Sequence, residues 1–175
     1  GAKTSQVSSP FDGSRLGDVP LLGEAEVQRA VAAAKTALHD QPLAPWQRAE
    51  VLEKAATLLR ERQEEFAQII AHEAAKPIKT ARVEADRAAG TFAFAAVEAR
   101  KLAGEVIPIA AAPGGDTKVA YTMRVPIGVV GAISPFNFPL NLVAHKVAPS
   151  IAAGCPVVLK PASQTPYSAI ALAWL

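Results

Sequence analysis

Ile127-Gly-Val-Val-Gly-Ala-Ile-Ser-Pro-Phe-Asn-Phe-Pro139 decides the fold of this chain. Ile127 to Ile133 form an apolar run of the kind that makes a buried strand. Leu140, Val143, Ala144, Val147 and Ile151 then recur at helical spacing through Leu140 to Ala153. After Gly154, Val157-Val-Leu-Lys160 supplies a second strand. Strand, loop, helix and strand in that order make a βαβ unit, whose parallel strands bind ligands beyond their carboxyl ends. An α/β fold is expected. The loop at residues 133–139 sits where a nucleotide-binding fold carries glycines, yet it has none.

Within that loop Asn137 stands between two aromatic residues and between Pro135 and Pro139, which restrict the backbone on both sides. An amide held still beside an apolar slot is suited to donating a hydrogen bond to an oxygen that gains charge during attack on a carbonyl. Asn also suits a turn on backbone grounds alone, so both readings stand at this point.

The wider order of motifs resembles the aldehyde dehydrogenase superfamily. The resemblance is carried by Arg124-Val-Pro-Ile-Gly-Val-Val-Gly131, by Ser134-Pro-Phe-Asn-Phe-Pro139 and by Ala152-Ala-Gly-Cys-Pro-Val-Val-Leu-Lys-Pro-Ala162. It extends upstream to Pro10-Phe-Asp-Gly13, Glu73-Ala-Ala-Lys-Pro77 and Leu102-Ala-Gly-Glu105, so it spans nearly the whole chain. It implies an N-terminal helical layer packed on a Rossmann-like parallel coenzyme-binding sheet, and NAD or NADP as cofactor.

By the same resemblance Asn137 takes the oxyanion role. Phe136 lines the slot between nicotinamide and substrate, although core packing is an equal explanation for a Phe. Ile133, Ser134 and Pro135 meet the cofactor mainly through backbone, and Lys160 bonds the adenosine ribose hydroxyls. Lys160 stands where a typical dinucleotide fold has an acidic residue. Ser163 occupies a position at which NAD-preferring members often have glutamate. Serine removes the repulsion of a 2′-phosphate, so NADP is expected to be tolerated or preferred. Ser163 also suits capping of the helix that follows.

Cys155 is the only cysteine, and thiol chemistry is expected of this family. Its setting in Gly154-Cys155-Pro156, at the entrance to a buried strand, instead calls for a small apolar residue. The resemblance places the nucleophilic cysteine and the general-base glutamate farther downstream. The chain starts without methionine and ends inside the apolar run Ser168 to Leu175, so it reads as the N-terminal part of a longer enzyme. Two further readings stay open: a non-catalytic nucleotide-binding or subunit-association module, and a member that passes its acyl group to coenzyme A.

Half of the residues are apolar and the net charge is +2, which calls for no nucleic acid or anionic membrane partner. A single cysteine and the lack of a signal-like segment make the cytoplasm the default address. The three histidines, His39, His72 and His145, lack metal-ligand spacing, so no metal is expected. Residues 1–104 are expected to be helical. Val27, Ala30, Val31, Ala34 and Leu38 make one core stripe, and Leu52, Ala55, Ala56 and Leu59 make another behind Pro45. Glu73 and Lys76 are expected to pair at the surface. Residues 105–125 read as a hairpin, which the resemblance makes a subunit-association element of a homodimer or homotetramer. Residues 126–175 hold the first βαβ, and the expected substrate is a small aldehyde.

Overall fold

The computed structural model describes residues 3–175. The chain opens with an antiparallel hairpin of β1 (Thr4–Ser8) and β2 (Arg15–Pro20), its register running from Thr4↔Pro20 to Ser8↔Arg15 with a bulge at Val7/Ser8. This hairpin departs from the helical expectation for residues 1–104. Its strands lack the strict apolar alternation that would have marked them, and only Val7 is buried.

Four helices follow: α1 (Glu24–Asp40), α2 (Pro45–Glu61), α3 (Gln63–Ala74) and α4 (Ile78–Lys101). Pro45 opens α2 as expected, and the Gln47 side chain reaches back to accept the Ala44 N–H at 2.8 Å. The core lies where α2, α3 and α4 meet α5 (Asn141–Ala152). Leu52, Leu59, Phe66, Ile70 and Leu140 are fully buried there. Alanines at 81, 85, 88, 89, 95, 96 and 99 line α4, and side chains this small let neighbouring helices approach closely. Burying each Leu or Phe of this cluster contributes about 1.5–3 kcal/mol.

The α1 stripe is a correction. None of its residues is buried, and Val27 is exposed. Apolar periodicity shows which face a helix would bury but not whether the described residues cover it.

The expected βαβ unit is present. β5 (Val130–Ile133) and β6 (Val157–Lys160) pair in parallel from Val130↔Val157 to Ile133↔Lys160, with α5 as the crossover. Gly154, at φ +80° after α5, closes the turn into β6; a Cβ there would collide with the Arg48 guanidinium. A short helix α6 (Tyr167–Ala173) completes the chain, leaving Trp174 exposed while Leu175 packs against the core. The hairpin expected at 105–125 forms, but only β3 (Val106–Ile107) and β4 (Ala120–Tyr121) pair. Ile109 enters a 3₁₀ turn, Ile109–Ala111, instead of extending the strand. No described helix is long and apolar enough to cross a membrane.

Candidate functional site

The two parallel strands end side by side, which brings Ile133 and Lys160 into register at their carboxyl termini. The loops that leave them carry the expected site residues. The Ser134 N–H donates to the Lys160 carbonyl at 3.2 Å, extending the ladder by one residue. That N–H is therefore spent and Pro135 has none, so carbonyl oxygens are what the Ser134–Pro135 backbone can offer a ligand. Ser134 itself is buried and its Oγ has no partner. Ile133 projects into solvent at 72% exposure, an unusual place for a large aliphatic side chain at the end of a strand.

Phe136, Asn137 and Ser163 line one cavity of about 710 Å³, together with Gln164, Thr165, Lys76, Glu73 and the β1 strand. The two loops after β5 and β6 thus converge, as the βαβ reading requires. Thr165 is buried against this cavity with its Oγ1 unpartnered. The Lys160 ammonium lies beside it rather than in its wall, donating to the Pro161 carbonyl at 3.2 Å and weakly to Ser163 Oγ at 3.4 Å. Ser163 does not cap α6, which is a correction: that helix begins after Pro166, and its first amide groups are met by Glu73.

Glu73 and Lys76 line this cavity and Glu84 lies outside its lining, and the partners these three side chains take are not legible in the sequence. Glu73 accepts from the Tyr167 N–H at 2.6 Å and the Ser168 N–H at 3.0 Å. Burial pushes its carboxyl pKa up, against the pull of those two donors. Glu84 accepts from the N–H groups of Leu140 and Asn141 at 3.0 and 3.1 Å, closing the N-terminus of α5. Its second oxygen takes the Lys76 ammonium at 2.5 Å. Lys76 also donates to the Asn137 carbonyl at 2.9 Å and lies 4.0 Å from the centre of the Phe138 ring.

The expected surface pair of Glu73 with Lys76 is thereby overturned. Each has a different, buried partner, because α3 ends at Ala75 in the left-handed region and the turn sends the two side chains apart. A sequence signal for Glu84 did exist. It falls on the alanine stripe of α4 beside Ala81, Ala85 and Ala88, and a carboxylate on a buried face must find partners. Cys155 is buried, as its setting between Gly154 and Pro156 indicated, and it lies away from the Asn137 cavity.

The donor set suits a dinucleotide. An exposed ammonium and hydroxyl stand at the carboxyl end of the second strand, an exposed aliphatic side chain stands at the end of the first, and an amide faces a cavity between the loops.

Comparison with known proteins agrees. The profile of the Aldehyde dehydrogenase family matches residues 1–175. A 3-sulfolactaldehyde dehydrogenase from Priestia aryabhattai is 46% identical over 174 residues, covering 99% of this chain and 36% of the relative. Among solved structures, NADP-dependent glyceraldehyde-3-phosphate dehydrogenase from Bacillus halodurans C-125, complexed with NADP, superposes with a TM-score of 0.93 at 40% identity, over 98% of this chain and 37% of that one. PnpE in complex with nicotinamide adenine dinucleotide gives a TM-score of 0.92 at 36% identity, over 98% and 34%. The chain therefore spans little more than a third of the length of the proteins it matches.

Proposed function

The chain belongs to the aldehyde dehydrogenase family, a family of NAD(P)-dependent oxidoreductases, and on that premise we propose that it supplies the coenzyme-binding loops and oxyanion donor of an enzyme oxidising an aldehyde to a carboxylate. The observation that carries this reading is the convergence of Asn137, Phe136 and Ser163 on one cavity beyond the ends of two parallel strands. When bound, the nicotinamide serves as hydride acceptor. Lys160 and Ser163 hold the adenosine ribose, and Phe136 lines the slot beside Asn137. Ile133, Ser134 and Pro135 face the cofactor, the last two through carbonyl oxygens.

Asn137 acts on the substrate oxygen. Attack by a thiol on the aldehyde carbon gathers negative charge on that oxygen, and a fixed amide N–H stabilises it more than it stabilises the uncharged carbonyl. The nucleophile lies outside these residues, since Cys155 is buried at the entrance to β6. The named substrates of two relatives, 3-sulfolactaldehyde and glyceraldehyde-3-phosphate, share a hydroxyl and an anionic group, so a short hydroxyaldehyde with an anionic end is the substrate class we assign. The hairpin of β3 and β4, with Val106, Val119, Tyr121, Met123 and Val125 all exposed, fits subunit association in a homo-oligomer of the cytoplasm.

Turnover of a panel of such aldehydes by the natural gene product, with NAD and with NADP, tests the reading. Activity that falls by about 100-fold or more in Asn137→Ala, with coenzyme affinity retained, is the expected result. Coenzyme binding with no oxidation of any aldehyde would remove it in favour of a nucleotide-binding module.

A further inference from the structure

We propose that Lys76 is a positioning residue for Asn137, a clamp that fixes the direction of its amide. This deepens the function proposed above and rests on it for its catalytic consequence, though not for its geometry.

The contacts bracket the loop. The Lys76 ammonium holds the carbonyl of Asn137 at 2.9 Å and the ring of Phe138 at 4.0 Å. Glu84, which grips that ammonium at 2.5 Å, holds the N–H groups of Leu140 and Asn141 through its other oxygen. Pro139, between them, is fully buried. The backbone on the helix side of Asn137 is thus fixed at several points by one ion pair, while the Asn137 side chain is left exposed at the cavity.

Charge is not what the pair supplies. Glu84 is 1% exposed and neutralises the ammonium at close range, so little net field reaches the cavity. Nor is stability a sufficient account, because a buried ion pair is often no more stable than apolar residues of the same volume. What it adds is direction: an ammonium with three donors, shared between a carboxylate and a carbonyl, fixes one loop conformation. Ala75 belongs to the same device. It is the one residue other than glycine with positive φ among those described, at 49°, and this turn sets the direction in which Lys76 leaves α3.

The test uses the natural gene product and two readouts. Lys76→Met combined with Glu84→Gln removes both charges, while the amide oxygen introduced by the second substitution still accepts from the start of α5. With nitrogen-labelled asparagine, the Asn137 side-chain amide should move toward the shift and mobility of a free Asn. Turnover should fall by about 10- to 100-fold, with coenzyme Kd within about twofold of the parent. If the double variant does not fold, Lys76→Gln, one bond shorter and still a donor, is measured in the same way with the same expectation. An Asn137 amide unchanged in a folded variant overturns the clamp. A loosened amide with unchanged turnover leaves the clamp standing and overturns the oxyanion role of Asn137, so the two failures are distinguishable.

Discussion

Glu73 and Glu84 are each 1% exposed, and each turns its carboxylate to the first backbone amides of a different helix. Glu84 closes α5, the crossover helix, and Glu73 closes α6 after the second strand. Neither helix has a side-chain cap of its own. The helical layer therefore supplies what the βαβ segment lacks, and the two parts are joined by charge-assisted hydrogen bonds as well as by apolar packing.

Glu84→Ala should be among the most damaging single substitutions in the chain. It leaves the Lys76 ammonium, 15% exposed, without its carboxylate and strips the acceptor from two buried amides. Breaking a buried pair on one side costs about 3–5 kcal/mol. Urea denaturation reads this directly, and a loss below about 1 kcal/mol, the scale of an exposed pair, would mean that the contact is not formed.

Ala75→Gly should stabilise. The left-handed region costs a residue with a Cβ about 1–2 kcal/mol, whereas glycine loses about 0.4–1 kcal/mol through its freer unfolded chain. The balance favours glycine by up to about 1.6 kcal/mol, seen as a higher urea midpoint at unchanged slope. A lower midpoint would show that Ala75 is not in this conformation.

Glu73 gives stability a pH dependence of defined sign. Its unfolded carboxyl titrates near 4.5, and burial raises the folded value. Between the two the native state keeps a proton that the unfolded chain has released, so this group's contribution falls as pH rises through the window and is level on either side. Glu64 has the opposite sign: Arg82 holds its pKa down to about 2, and its contribution is present above 4.5 and lost as pH falls toward the folded value. Denaturation of the parent and Glu73→Gln, from mildly acidic to neutral pH, separates the two. Glu73→Gln should gain on the parent as pH rises, and parallel profiles would exclude a raised Glu73.

The βαβ unit was legible because two strands and a helix each imposed their own period on the sequence, and β6 ends at the expected Lys160. The site was legible only as far as its own loops. Asn137 and Ser163 belong to recognisable motifs, but the support of the Asn137 loop comes from Lys76 and Glu84, distant in the chain, and a contact of that kind has no local pattern. The α1 stripe fell short for the converse reason: its period is real, yet the described residues only half-bury Val31, Ala34 and Leu38 and leave Val27 and Ala30 exposed. The first hairpin went unread because its short strands are mostly polar.

Ser163→Glu tests coenzyme choice at the second strand. Lys160 leans toward Ser163 Oγ at 3.4 Å, and both side chains are exposed, so a carboxylate at 163 would lie within reach of that ammonium. It would pair with Lys160, accept from ribose hydroxyls and repel a 2′-phosphate. At an effective dielectric of about 20, like charges about 6 Å apart cost nearly 3 kcal/mol, and exposure to salt reduces this further. NADP affinity should therefore fall by roughly 10- to 100-fold while NAD affinity holds or rises. Raising the salt concentration should narrow the gap, since the repulsion is screened and the ribose hydrogen bond is not. Equal NADP affinity in parent and variant would show that Ser163 does not face the 2′ position, and the NADP tolerance inferred from serine would go with it.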